Sequence, residues 1–574
     1  MDKKQVIKHL ESIAVHLELK GENAFKISAY RKAAQALERD DRSLNEIEDI
    51  GSLSGVGKGT KAVIEEFIAN EETETLNQLK RDVPEGLIPL LNVQGLGGKK
   101  LSRLYHELGV TDEASLRAAS ENGDIEALSG FGKKSVEKII KALDEQGTRP
   151  ERLPIASVIP TYEALVSELD QLEDIERYAI AGSFRRLRED VKDLDFIIAT
   201  NQAESVANQL VNLSGVKEVE AKGETKVTVV VTGEWDMSVD FRLVEPDAFV
   251  TTLHHFTGSK DHNVEMRRLA KEQGYKISEY GIEHVETGEV ETFTTEEAFF
   301  ERLGLTFIPP ELRETGEEVE MTMPNLISID DVQGDLHMHT TWSDGAQSLE
   351  EMVVKAREFG YHFMAVTDHS KYLQVANGLN EERLRKQRTM IDEMNAKYDD
   401  IHIFAGVEMD ILPDGSLDFD DDMLAELDFV IASIHSSFNQ DEETIMTRLV
   451  NAIQNPYVDM IAHPTGRLIG KRSGYPVNVE QFIEQAVEHD TIIELNANPN
   501  RLDLTWSWLK VAQERGAKIA INTDAHNYQM LNDMATGIQA ARKGWIEPET
   551  VVNTWSVEAI QQFLTKKKGE ASER

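Results

Sequence analysis

The stretch Val191-Lys-Asp-Leu-Asp-Phe-Ile-Ile198 reads as a strand with two unlike faces. Alternation puts Asp193 and Asp195 on one side and Leu194 and Phe196 on the other. Two like charges beside an apolar run repel each other and lose water unless a cation or a cationic partner holds them. Upstream, Gly182-Ser-Phe-Arg-Arg186 follows an apolar run and opens a helix; downstream, Met237-Ser-Val-Asp-Phe-Arg-Leu-Val244 places Asp240 on a neighbouring strand with the same alternation. A Gly-Ser turn followed by arginine cradles phosphate through backbone N–H, hydroxyl and guanidinium. Three carboxylates from two strands can hold two Mg2+ ions about 3.5–4 Å apart, the donor set of phosphoryl or nucleotidyl transfer.

Working outward, Tyr178-Ala-Ile-Ala181 and Lys226-Val-Thr-Val-Val-Val231 supply further strands, so this region reads as an α+β unit with a sheet. It begins where Thr148-Arg-Pro-Glu-Arg-Leu-Pro-Ile-Ala156 breaks a helical composition. Before that break, Leu53-Ser-Gly-Val-Gly-Lys58, Val93-Gln-Gly-Leu-Gly-Gly-Lys99 and Leu128-Ser-Gly-Phe-Gly-Lys133 repeat one pattern, each followed by a helical period. The glycine pairs at 55 and 57, 95 and 97, and 130 and 132 permit a tight turn and close approach of another backbone, while the next helix presents free N–H groups. A helical scaffold with glycine-rich connections is the competing explanation.

A second, denser constellation lies in the C-terminal half. His337, His339 and Asp344 occur in Gly334-Asp-Leu-His-Met-His-Thr-Thr-Trp-Ser-Asp344, and His369, Glu408, His435, His463, Asp524 and His526 each follow a short apolar run. Apolar runs alternating with helices indicate a parallel α/β barrel, whose strand C-termini gather functional side chains. Nine N/O donors exceed what one ion uses and indicate two or three divalent ions suited to phosphoester hydrolysis. His362 and His402 begin strands, face the opposite end and are assigned no metal; His254 and His262 also fall outside the set. Arg467, Lys471 and Arg472 either guide a phosphate or form a solvated loop.

At 574 residues the chain holds several domains, and with no cysteine it excludes disulfides, thiolate metal sites and cysteine nucleophiles. The net charge of −42 speaks against nucleic acid, yet residues 1–150 carry only −4 of it, so that part can approach a phosphate backbone with modest, salt-sensitive affinity. No stretch suits a membrane span or a signal peptide, so a soluble cytoplasmic protein is expected.

The glycine repeats resemble helix-hairpin-helix modules. Gly-Ser-Phe-Arg-Arg, Asp193-x-Asp195 and Asp240, followed by Leu253-His-His-Phe-Thr-Gly-Ser-Lys-Asp-His-Asn263, are similar to the nucleotidyltransferase palm and substrate pocket of family X DNA polymerases. The resemblance implies catalysis by Asp193, Asp195 and Asp240 with Mg2+ or Mn2+, triphosphate binding by Ser183 and Arg186, and a sugar and base pocket of His255, Phe256, Gly258 and Asn263. It implies DNA phosphate contacts at Gly55, Gly57, Lys58, Gly95, Gly97, Lys99, Gly130, Gly132 and Lys133. His255 stands where the family has Tyr, and Val63 where members with lyase activity carry the Schiff-base Lys; Lys58 and Lys61 are offset. Residues from 333 onward resemble the PHP (polymerase and histidinol phosphatase) domain, which implies two or three Mn2+ or Zn2+ ions and 3'-5' exonuclease activity, with cleavage at abasic sites as a further implication.

The expected architecture is multidomain: an all-α region with a first hairpin module over 1–85, fingers-like with two more over 86–150, an α+β palm over 151–245, a thumb over 246–315, a linker over 316–332, and a distorted TIM-like (β/α)7 PHP barrel over 333–574. Expected partners are gapped or nicked DNA and deoxynucleoside triphosphates, with no membrane, for a monomer that fills short gaps in base excision repair. A different class of reading is a PHP-type small-molecule phosphoesterase whose DNA-binding N-terminal half is catalytically silent.

Overall fold

Three groups of elements account for the chain in the computed structural model, which describes every residue except 1–2, 40–43, 45–46, 48, 92, 94, 145–149 and 573–574. Gln94 of the second glycine motif and Thr148-Arg149 at the composition break lie outside the described residues. The chain divides into two units, Met1–Glu151 and Arg152–Arg574.

The first unit is helical, with one core around Val6, Leu10, Ile13, Leu37 and Ile64 and another around Leu87, Leu101, Leu104, Leu116 and Ile139. Gly55, Gly95 and Gly130 adopt φ of +111°, +90° and +90°, backbone that a side chain would strain. Gly57 and Gly97 then cap the helices Lys58–Asn70 and Gly98–Leu108, and Gly132 immediately precedes Lys133–Asp144. A Cβ at any of these three second glycines would meet nothing within 4 Å. Lys58, Lys99 and Lys133 are exposed beside them. Val63 is buried in the first core, and Lys61 pairs with Asp49 at 2.7 Å.

In the second unit a five-stranded sheet runs in the order Arg177–Ile180, Asp193–Ala199, Met237–Val244, Lys226–Val231, Val216–Lys222. The second and third strands are parallel, and Asp195 pairs directly with Asp240. Leu194, Phe196, Ile198, Val239 and Phe241 are buried beneath Ile155–Leu169 and Ala203–Leu210. Each such side chain contributes about 1.5–3 kcal/mol, and a slip of one residue would drive the aspartates into that core, so the register is fixed. On the opposite face Ile197 and Ala199 pack under the helix Phe249–Thr257, leaving the end that carries Asp193 and Asp195 half-buried. The helices Lys260–Glu272 and Glu296–Arg302 and a small antiparallel sheet of Tyr275–Ser278, Gly281–His284 and Val290–Glu291 complete this lobe.

Seven parallel strands follow in sequential order: Gly334–Asp335, Phe363–Val366, His402–Asp410, Phe429–Ser433, Met460–Ile461, Ile492–Asn496 and Ile519–Asn522. A bridge between Met338 and Ala525, with the His339 N–H donating to the Ala525 carbonyl at 2.8 Å, brings the last strand back to the first. Phe363, Phe404, Phe429, Met460 and Ile492 fill the lower interior together with Ile560 and Leu564 of the helix Val557–Ser572. Their neighbours Met364, Ile403, Val430, Ile461 and Ile493 face the outer helices.

The stretch 316–332, expected as a linker, is instead packed. Glu318, Val319 and Ile327 are buried, and the Ile327 N–H donates to the Ile546 carbonyl at 2.9 Å. Its few apolar residues follow neither a helical nor a strand period, so nothing in the pattern announces that some are buried. The edge strand Val216–Lys222 was also not expected; it is largely exposed and its register shifts twice, so it lacks clean alternation.

Candidate active sites

Two sites emerge in the second unit. At the first, Asp193, Asp195 and Asp240 share the end of the two parallel strands. Burial pushes the Asp195 carboxyl up to about 6, helped by Asp193 and Asp240. Asp240 is held by the Lys226 ammonium at 2.7 Å and by the Thr228 hydroxyl at 2.6 Å. The crowding of anions that the sequence implied is therefore present and only partly neutralised, which fits divalent cations between the carboxylates. Gly182, at φ +64°, lies against Asp195 so closely that a Cβ would strike the carboxylate. The Gly-Ser turn and the four-residue helix Gly182–Arg185 are thereby fixed beside the acids.

Arg185 does not reach the site. It donates to Glu296, which also takes Arg313 Nη1 at 2.8 Å. Burial raises the Glu296 carboxyl, but the Arg313 and Arg185 guanidiniums overcome it and hold the group at about 2. Arg186 Nη1 donates to the Thr257 carbonyl at 2.5 Å, and its Nε lies 3.4 Å from Glu314 Oε1. The Arg242 guanidinium covers the Phe256 ring at 3.8 Å, and Asn263 Nδ2 donates to the His255 carbonyl at 2.8 Å. Asn263 Oδ1 is buried with no hydrogen-bond partner among the described residues. Gly258 leaves room for Arg186, whose Nη1 would lie 3.2 Å from an added Cβ. His255 is half-buried, 4.0 Å from Glu279, and burial lowers its pKa.

At the second site all nine expected donors converge at the C-terminal end of the barrel. His337, His339, Glu408 and Asp524 form one group, His339, Asp344, His369 and His526 another, and His369, Glu408 and His435 a third. Glu408 joins them: its oxygens lie 3.0 Å from His369 Nδ1, 3.3 Å from His337 Nε2, 3.2 Å from His435 Nε2 and 3.0 Å from His463 Nε2. His369, Glu408, His435 and Asp524 continue the inward alternation of their strands, so Phe404 and Glu408, or Ala520 and Asp524, differ only in depth. His463 and Asp524 hold left-handed backbone at φ +28° and +54°, which costs about 1–3 kcal/mol each and clusters at functional sites.

Several polar atoms there are orphaned. Glu408 Oε2, His339 Nδ1, His369 Nδ1 and His463 Nδ1 are buried without a hydrogen-bond partner among the described residues, although Glu408 Oε2 and His369 Nδ1 lie at contact distance. Groups that face one another without completing hydrogen bonds fit cations seated between them. Burial, with His526 and His369 adding, holds His339 down at about 3, leaving the ring neutral as a ligand must be.

A supporting shell was not read from the sequence. Glu494 accepts His337 Nδ1–H and the His463 backbone N–H, each at 2.7 Å, and Asp410 Oδ1 lies 3.2 Å from His435 Nδ1. Asp368 accepts the Thr340 N–H at 2.8 Å, the Thr340 hydroxyl at 2.7 Å and the Ser343 hydroxyl at 2.5 Å. Glu494 lies in Thr491-Ile-Ile-Glu-Leu-Asn496, an apolar run interrupted by acid, the same signal that exposed Glu408. Arg467 is neither phosphate guide nor solvated: it bonds Glu189 at 2.8 and 3.1 Å. Arg472 donates to the Gly466 carbonyl at 2.9 Å and covers the Phe438 ring at 4.3 Å, while Lys471 is exposed. His362 and His402 sit at the opposite barrel end, where His402 Nε2 lies 3.4 Å from Gln561 of the closing helix.

No helix among the described residues is long and apolar enough to cross a membrane. Segments of the chain match known families: a helix-hairpin-helix domain over residues 1–73, a helix-hairpin-helix tandem over 87–145, the DNA polymerase beta thumb over 252–314 and the PHP domain over 335–498. The barrel is similar to a probable phosphatase of Thermoanaerobacter sp. (strain X514), 29% identical over 41% of this chain and 95% of that protein. A probable phosphatase of Shewanella halifaxensis is 28% identical over 42% of this chain and 94% of its own length. The DNA polymerase/3'-5' exonuclease PolX of Bacillus subtilis (strain 168) is 55% identical across 99% of this chain and all of that protein. With an acid trio on a palm-like sheet, a nine-donor barrel and that identity from end to end, the chain belongs to the family X DNA polymerases that carry a C-terminal PHP domain.

Proposed function

We propose that the protein is a template-directed DNA polymerase that fills short gaps in base excision repair and trims 3' ends in its PHP barrel, where abasic-site cleavage is a further activity. The convergence of two separate acid or imidazole clusters carries this reading. The palm takes Mg2+ or Mn2+ on Asp193, Asp195 and Asp240. The barrel takes two or three Mn2+ or Zn2+ ions on His337, His339, Asp344, His369, Glu408, His435, His463, Asp524 and His526. When bound, such ions offset developing negative charge on phosphoryl oxygens and lower the pKa of water. The chain's own groups do the rest. Ser183 and Arg186 seat the triphosphate, Phe256, Gly258 and Asn263 line sugar and base, and His255 edges that pocket. Glu494 and Asp410 orient His337 and His435. In the domain limits we propose, helix-hairpin-helix glycines and Lys58, Lys99 and Lys133 over 1–150 grip the phosphates of gapped or nicked DNA. The palm then spans 151–245, the thumb 246–315 and the barrel 333–574, in a monomer.

The test is a labelled primer on a one-nucleotide gap, read for both extension and shortening. Asp193→Ala abolishes extension and leaves shortening, whereas His339→Ala does the reverse. Hydrolysis of small phosphomonoesters with no nucleotide incorporation would favour instead a phosphoesterase with a silent N-terminal half.

A further inference from the structure

Lys543 closes the helix Asp533–Lys543 on the outside of the barrel, far in sequence from the palm, yet its side chain is only 5% exposed. Its Nζ donates to the Arg186 carbonyl at 2.9 Å, the Glu311 carbonyl at 3.3 Å and Glu314 Oε1 at 2.9 Å. An ammonium has three donors, and here all three are used. Glu314 is meanwhile the only carboxylate in contact with Arg186 among the described residues, with Arg186 Nε at 3.4 Å and Arg188 Nη1 at 3.9 Å. One negative charge is therefore shared among three cations, and the share taken by Lys543 is not available to Arg186.

We infer that Lys543 is a positioning residue for the polymerase site: by holding Glu314 and the Arg186 carbonyl, it keeps the Arg186 guanidinium available for nucleotide phosphates. This rests on the reading that Arg186 seats the triphosphate. Without the ammonium, Glu314 has only arginines to pair with and draws Arg186 onto itself, since a carboxylate and a guanidinium form a strong charge-assisted contact at close range. The nucleotide then competes with an internal anion. The barrel thus tunes the affinity of the palm for its substrate through a single buried charge.

Steady-state gap filling with the full chain tests this. Lys543→Met raises KM for the nucleotide about tenfold, the loss of one hydrogen bond to a charged group, with kcat nearly unchanged and 3'-5' trimming at the parent rate. Adding Glu314→Gln to Lys543→Met restores KM, because the competing charge is gone. Arg186→Ala serves as the reference and raises KM on its own. An unchanged KM in Arg186→Ala would overturn the reading of Arg186 and the inference with it. A raised KM in Arg186→Ala beside an unchanged one in Lys543→Met would overturn the inference alone. Loss of trimming in parallel, or a failure of Glu314→Gln to restore KM, would reduce Lys543 to a packing role and refute the charge mechanism.

Discussion

Replacing Glu494 with Gln changes one charge and almost no volume, yet the surroundings of that carboxylate leave an amide no satisfactory orientation. Oε1 accepts from His337 Nδ1 at 2.7 Å and from Asn522 Nδ2 at 3.2 Å; Oε2 accepts from the His463 N–H at 2.7 Å and from Asn496 Nδ2 at 3.4 Å. If the new NH2 faces His463, it confronts a backbone donor that cannot invert. If it faces His337, the imidazole must move its proton to Nε2, the atom 3.3 Å from both Glu408 and Asp524. Either choice costs about 1–3 kcal/mol, an unmade hydrogen bond in a buried place. The expected outcome is a 10- to 100-fold rise in the metal concentration that half-saturates trimming, in line with losses at orienting residues. Metal-depleted protein titrated with Mn2+ and read for shortening of a labelled single strand measures this, with gap filling as internal control. A Glu494→Gln protein with the parent's metal dependence and trimming rate would refute the argument that Glu494 fixes the His337 tautomer.

Three further outcomes follow from the geometry. Gly182→Ala places a methyl against Asp195 on left-handed backbone, about 1–2 kcal/mol of strain before the clash, so gap filling collapses while trimming persists, checked on the same gapped substrate. Glu296, held at about 2 against its usual 4.5, stabilises the fold fully above pH 4.5 and progressively less as pH falls towards 2. That shift is worth at most about 3 kcal/mol, since burying Arg313 opposes it, so Glu296→Gln lowers the melting temperature at pH 7 and narrows its gap to the parent in acid. Replacing Lys58, Lys99 and Lys133 together with Ala weakens DNA binding and flattens the slope of log affinity against log salt by about 0.9 for each phosphate that is no longer neutralised, measurable by fluorescence anisotropy.

The sequence made short-range logic visible and hid what is settled at long range. Asp193, Asp195 and Asp240 were legible because a strand's alternation is local, and most of the barrel donors because each follows its own apolar run. Glu494 follows the same rule as Glu408 but sits within apolar neighbours that read as plain core. The partners of Arg185 and Arg467 were not legible, since an arginine beside a Gly-Ser turn or a ligand strand carries no mark of the group it will pair with. Glu296 and Glu189 lie 111 and 278 residues from them along the chain. Arg186 was assigned to phosphate on resemblance, and its contacts with Glu314 and the Thr257 carbonyl depend on a lobe that no local pattern could place.

The packed 316–332 stretch has a practical consequence for anyone dividing the gene. Its acidic, proline-marked composition invites a cut there to express a stand-alone polymerase and a stand-alone nuclease. Such a cut parts Lys543 from Glu314 and leaves that buried ammonium without its counterion, separates Glu189 from Arg467, and, if made after Ile327, strips that residue of its cover. Fragments made at this point should come out of the cell as aggregates more often than as enzymes, and a reduced rate in the polymerase fragment would report a damaged wall rather than a missing activity.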